Sequence, residues 1–194
     1  KLPALWRKDL DVYLADCSSR YTARTLELAR IYSSAGLLFL NDIGIHSIAD
    51  ITYESVRKLM GTKMYCSEDT KGMVLNSTAR MLRFYGEKGL CSLNYSLVLN
   101  CQIYPHIGTV SQFSAENREA LDKITDVTLS ADEFYQSITP FIDLLETHGY
   151  VGTTLNLARH VLTASYLFLD MHFFGFHRDI MWIWFAEIRR TLGH

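Results

Sequence analysis

What most constrains the fold of this chain is a repeat: the stretch from Tyr21 to Ile51 occurs twice. Tyr21-Thr-Ala-Arg-Thr-Leu-Glu-Leu-Ala-Arg30 aligns without a gap to Tyr150-Val-Gly-Thr-Thr-Leu-Asn-Leu-Ala-Arg159. The same register continues through Ala35/Ala164, Leu38/Leu167, Phe39/Phe168, Leu40/Leu169, Asp50/Asp179 and Ile51/Ile180. Twelve of 31 aligned positions are identical, where unrelated segments of such composition would share about two. A period near 129 in a chain of 194 residues favours two small units over one large one.

The first copy reads as a helix. Thr22 is a capping residue, and the run continues to about Asn41 and stops before Gly44. Its apolar residues lie on most sides, and Arg24, Glu27, Arg30, Ser34 and Asn41 leave only a narrow polar stripe, so several neighbours must pack against it. The stripe returns in the second copy as Thr153, Asn156, Arg159, Thr163 and Asp170. The repeat therefore keeps both an inside and an outside.

Around the first copy the pattern is helical throughout. Trp6, Leu10, Tyr13, Leu14 and Cys17 recur at helical spacing after Pro3 and predict an opening helix that ends near Ser18-Ser19. Thr52 predicts a cap for Tyr53 to Met60. Ser67 opens a helix over about 68–88, ended by Gly89, with Val74, Met81, Leu82 and Tyr85 on one side and Asn76, Arg80, Arg83 and Glu87 on the other. Leu90 to Val110 has no helical periodicity and holds Pro105 and Gly108, which predicts an extended connector with room for one short strand. Beyond it, Ser114 caps a helix to about Ile124, and Ser130-x-x-Glu133 is a capping box whose helix restarts at Thr139-Pro140. Thr153 or Thr154 then caps a helix to about Phe174 that Gly175 ends, and Asp179 caps Ile180 to Leu192. The expected fold is all-α, with two helical units (1–90 and 114–194) joined by an extended linker over 91–113.

Charge divides the two halves. Residues 1–90 carry 13 Lys/Arg against 10 Asp/Glu, and residues 91–194 carry 6 against 11. A phosphate partner is thus expected on the first half. The four cysteines form no Cys-x-x-Cys pair and read as thiols of a reducing, cytoplasmic setting. The run Val161 to Phe176 is interrupted by Asp170 and His172 and reads as a buried helix, not a membrane span. The chain starts at Lys1 with no signal peptide, as a piece of a longer protein would.

No set of residues suggests catalysis or a cofactor. His172 and His177 are five apart with a glycine between them, a poor spacing for a metal on one helix face. His177-Arg178-Asp179 has the letters of a kinase catalytic loop, but no asparagine stands five residues after the aspartate. The acidic pairs Glu68-Asp69 and Asp132-Glu133 sit at helix starts, where the helix dipole accounts for them. Phe173, Phe174, Phe176, Trp182, Trp184 and Phe185 read as core, with an excess that points to a partner surface or to further chain. Lys58, Lys63, Lys71, Arg80, Arg83 and Lys88, with Thr22, Thr25, Ser67 and Thr70 at helix starts, are the residues suited to a phosphate backbone.

Residues 6–90 resemble the N-terminal core-binding (SAM-like) domain of tyrosine recombinases, the phage-integrase family. The likeness rests on Tyr21-Thr-x-x-Thr25, Tyr32, Leu37-Leu38-Phe39-Leu40, Gly44-Ile45-His46-Ser47-Ile48-Ala49-Asp50-Ile51-Thr52, Val56, Thr70-Lys71, Leu75 and Arg80-Met-Leu-Arg83-Phe84, in that order. Residues 150–194 resemble the first half of a second such domain. The resemblance implies a clamp on double-stranded recombination-site DNA and assembly into a homo-oligomer on it. It also implies DNA contacts from Thr22, Arg24, Thr25, Lys63, Thr70, Lys71, Asn76, Arg80 and Arg83, with neither a membrane nor a small-molecule substrate as partner. The family's chemistry needs a His-x-x-Arg and a nucleophilic tyrosine in a C-terminal domain, and no histidine here is followed by arginine at the third position. The chain is therefore expected to bind DNA without catalysing recombination; the alternative is an all-helical protein-interaction or oligomerisation module.

Overall fold

A computed structural model of the chain describes residues 1–64, 66–101 and 108–192. The fold is all-α, with nine α-helices and no strand among the described residues. None of these helices is long and apolar enough to cross a membrane. The chain divides into two compact units, Lys1–Asn100 and Cys101–His194.

Unit 1 holds α1 (Ala4–Cys17), α2 (Ala23–Asp42), α3 (Tyr53–Gly61), α4 (Glu68–Glu87) and α5 (Asn94–Asn100). In α1 the buried residues are Trp6, Leu10, Tyr13, Leu14 and Cys17, the stripe expected from spacing. Thr22, Thr52 and Ser67 cap α2, α3 and α4, each side-chain oxygen accepting from the backbone N–H three residues on. Helix α2 is central: α1, α3 and α4 all pack on it. Its contact with α4 is made by small residues. Ser33 and Ser77 hydroxyls are 2.9 Å apart, and a Cβ on Gly36 would stand 2.1 Å from the Thr78 hydroxyl oxygen. The two backbones can approach closely only because position 36 has no side chain.

The extended connector expected over 91–113 is helical in part. Asn94–Asn100 form α5, which packs on α3 and α4 and buries Val98 and Leu99. Leu93 fits against Gly86, where a Cβ would meet the Leu93 backbone at 3.0 Å. Burial of Val98 and Leu99 outweighs the weak helix propensity of the Asn, Tyr, Ser and Val residues in this stretch. Val110–Gln112 form a 3-10 turn capped by Thr109. The part of the connector over 102–107, Pro105 included, lies outside the described residues.

Unit 2 holds α6 (Ala115–Asp122), α7 (Ala131–Thr147), α8 (Gly152–Met171) and α9 (Arg178–Leu192). Ser114 and Ser130 cap α6 and α7 as their sequence signatures predict. Helix α7 does not restart at Pro140; it runs through it. The proline is exposed, so the carbonyl it leaves unbonded faces water, and Phe134, Ile138 and Ile142 are buried on both sides of it. Neither Thr153 nor Thr154 caps α8: Val151 holds the N-cap position, without a side-chain bond. Asp179 likewise lies inside α9, and its N–H donates to Nδ1 of His177 at 3.2 Å.

Phe168 forms the centre of this unit, stacked on Phe113 and Trp184 at 5.9 and 5.5 Å between centroids. The aromatic group divides accordingly: Trp184 is wholly buried, while Trp182 and Phe173 are 67% and 96% exposed. His172 packs against Phe168 at 5.0 Å, and burial lowers its pKa by disfavouring the charged ring.

The two copies of the repeat share a backbone plan. Helices α2 and α8 are each 20 residues long with bounds one repeat apart, and the two polar stripes match in exposure, the first three residues exposed and the last two half-buried in each copy. Both end in the same turn. Ile45 N–H donates to Leu40 O at 2.9 Å in the first copy, and Phe174 N–H donates to Leu169 O at 2.9 Å in the second. The pivot is Gly44 at φ 89° in one and Phe173 at φ 57° in the other. Gly175 does not end α8; it lets the chain pass Val127, whose Cγ1 would lie 1.7 Å from a Cβ there. A left-handed phenylalanine with no buried contact is strained for no packing gain. Phe173→Gly is therefore expected to raise stability by about 1 kcal/mol, measured by thermal unfolding.

Candidate nucleic-acid interface

The expected DNA-contacting residues fall into two groups in unit 1. The C-terminal half of α4 and the turn between α1 and α2 border an open polar cleft of about 760 Å³. Arg80 and Arg83 reach it from α4, one turn apart. Arg20 and Tyr21 reach it from the turn, where the Arg20 and Tyr21 N–H groups both donate to Cys17 O at 3.0 and 3.1 Å. Lys88 completes the cationic set, with its ammonium 4.6 Å from the Phe84 ring centroid.

Four cations thus meet two carboxylates in the cleft, Asp16 and Glu87. Arg20 pairs with Asp16, and Arg83 Nε donates to Glu87 at 2.9 Å. These pairs are exposed on both sides and hold their partners weakly. Among the described residues Arg80 has no carboxylate within ion-pair distance. Tyr13 and Phe84, 5.6 Å apart, also line the cleft; the neighbouring Tyr85 is buried, and its hydroxyl donates to Asp9 O at 2.7 Å and ties α4 to α1. Burial, then the Asp9 charge, pushes the Tyr85 hydroxyl up to about 12. Burial and the neighbouring Cys17 also raise Tyr13, with Arg80 opposing them. Both phenols are therefore neutral hydrogen-bonding groups at any ordinary pH.

The remaining predicted residues are elsewhere. Thr22 and Thr25 hydroxyls are 2.9 Å apart and committed to the α2 cap, and Arg24 pairs with Glu27 at 2.8 Å on the solvent side. Thr70 bonds Ser67 at the start of α4, and Lys63 is exposed in the loop before it. Lys71 is nine residues before Arg80, about two and a half helical turns, so the two project from opposite sides of α4. Thr70 and Arg83 are about 20 Å apart along the axis. Asn76 is exposed on the Arg80 and Arg83 stripe. Lys88 was among the basic residues read as suited to a phosphate backbone, whereas Arg20, Tyr13 and Tyr21 were not among the expected contacts. For Arg20 the sequence held no signal, since its role depends on where the turn between α1 and α2 folds.

Among the described residues no group of three or more His, Cys, Asp or Glu side chains is arranged to hold a metal. Compared with protein-family models, with curated proteins and with solved structures, the chain matches none. The likeness to tyrosine recombinases accordingly stands on the residues quoted for it.

Proposed function

We propose that this chain is a non-catalytic DNA-binding region of tyrosine-recombinase type, which grips duplex DNA through the cleft of unit 1 and assembles with other copies on it. The observation that carries the reading is the cluster of Arg20, Arg80, Arg83 and Lys88 around one open cleft, with only Asp16 and Glu87 to balance them. Arginine forks suit phosphate oxygens, and an exposed ion pair gives up its arginine to a phosphate at little cost. The first half's excess of basic residues supports the same side of the chain.

Titration of the full chain with labelled duplex DNA over a salt series tests it. Binding is expected to weaken steeply as salt rises. Arg80→Ala with Arg83→Ala should weaken it at least tenfold and lower the salt slope by about two. Lys71→Ala, on the far side of α4, should change affinity less than about twofold. Binding that is absent at low salt, or indifferent to the double substitution, would overturn the reading. The alternative, a protein-interaction module, draws on the exposed Phe173 and Trp182 of unit 2. It predicts self-association without DNA, which sedimentation reads directly.

A further inference from the structure

Unit 2 contains an apolar groove of about 560 Å³ bordered by α7, α8 and α9, a size common for small-molecule sites. Phe134 and Phe141 of α7, Leu162 of α8, and Met181 and Trp182 of α9 supply much of its lining. Phe176 forms a wall held in place by an isolated antiparallel bridge, its N–H donating to Leu129 O at 2.7 Å. The two hydroxyls on the groove are committed to their own helices: Ser137 donates to Phe134 O at 2.7 Å and Ser165 to Val161 O at 2.9 Å. Trp182 and Phe141 stay 67% and 45% exposed beside it. Large rings left open along a concave apolar surface are a mark of a binding site.

One lining residue is charged. Arg178, the first residue of α9, borders the groove while its side chain is 83% exposed, and it touches the Asp179 carboxylate at a long 3.4 Å. A guanidinium has five N–H donors, so most of them are open to a ligand. The surrounding half of the chain is acidic, with 6 Lys/Arg against 11 Asp/Glu over residues 91–194. A polyanion is disfavoured there, but a single anionic head beside Arg178 is not, because the more distant carboxylates are screened.

We propose that this groove binds a single-chain amphiphile with an anionic head, of the fatty-acid class, its alkyl chain between α7 and α9 and its carboxylate on Arg178. The sequence reading expects no small-molecule substrate, and the proposal is independent of DNA binding by unit 1. The probes are dodecanoate, dodecanol and dodecylammonium, each titrated into the full chain below its micelle concentration. Calorimetry gives the stoichiometry, and tryptophan emission, repeated on Trp182→Phe, gives the location. Dodecanoate is expected to bind one to one with an emission change that Trp182→Phe abolishes, and to bind tighter than the alcohol and far tighter than the ammonium. Arg178→Gln should weaken dodecanoate at least tenfold and leave dodecanol within twofold. Equal affinity for the three probes, no saturable binding, or an unaffected Arg178→Gln would overturn the proposal. So would a dimer in sedimentation that dodecanoate fails to dissociate and that Trp182→Ser abolishes, since the groove would then be a contact between copies.

Discussion

Replacing Glu187 with alanine is expected to remove about 3 kcal/mol from the stability of unit 2, read by urea unfolding. This carboxylate is 2% exposed. It accepts from Ser114 N–H at 2.9 Å, from Asn117 Nδ2 at 2.6 Å and from Arg190 Nε at 2.7 Å. One side chain of α9 thereby satisfies the start of α6, and Arg190 extends the link by donating to Gln112 O at 2.9 Å. Burial by itself would raise the Glu187 pKa, but the hydrogen bonds from Asn117, Ser114 and Arg190 outweigh it and bring it down to about 2, against an ordinary 4.5. The sign follows from linkage: a carboxylate held below its unfolded value stabilises the fold above about pH 4.5, and that contribution fades as pH falls toward 2. The wild-type chain should therefore lose stability over that window, and Glu187→Gln, already weakened at neutral pH, should lose less. Hydrogen exchange should quicken over 114–122 and 178–192 in the alanine variant and stay unchanged over α1 to α4. Uniform destabilisation of both units would contradict this.

The second large effect concerns Gly36. Any side chain there drives a Cβ to within 2.1 Å of the Thr78 hydroxyl, which is wholly buried and donates to Val74 O at 2.8 Å. Gly36→Ala should destabilise unit 1 by about 1–3 kcal/mol, even though alanine is the better helix former, because the two helices must separate. Thr78→Ala removes the clashing oxygen. The double variant is expected to recover much of the loss, a coupling that a double-mutant cycle measures. Additive losses would show that α2 and α4 do not meet through these residues. In the second copy the matching residue is Ser165, 2% exposed with its hydroxyl on Val161 O at 2.9 Å. There the helix has other neighbours, and the position takes a side chain.

What could be read from the sequence was what is decided within a few residues. The stripe Trp6, Leu10, Tyr13, Leu14, Cys17 is one helix's own periodicity, and the caps at Thr22, Thr52, Ser67, Ser114 and Ser130 are bonds spanning three residues. The features that escaped depend on partners far along the chain. Pro140 stays within a helix because Phe134, Ile138 and Ile142 are buried on both sides of it. α5 forms because Gly86 leaves room for Leu93. The candidate cleft joins Arg20 to Arg80 and Arg83 across some 60 residues of sequence. Lys71 and Arg80 read as one basic face on charge alone, but helical geometry puts them back to back.

The shared turn at Gly44 and Phe173 has a consequence for how the duplicated segment can be handled. Because both helices release the chain through the same backbone bonds, their boundaries are joints of one gauge. A transplant of residues 152–174 into the place of 23–45 should meet the flanking chain in matching backbone geometry, bringing with it the left-handed strain of Phe173 where Gly44 stood. Its larger difficulty would lie in the middle, where Ser33 and Gly36 would give way to Leu162 and Ser165 against an unchanged α4. The segment is a cassette with standard fittings and a custom face.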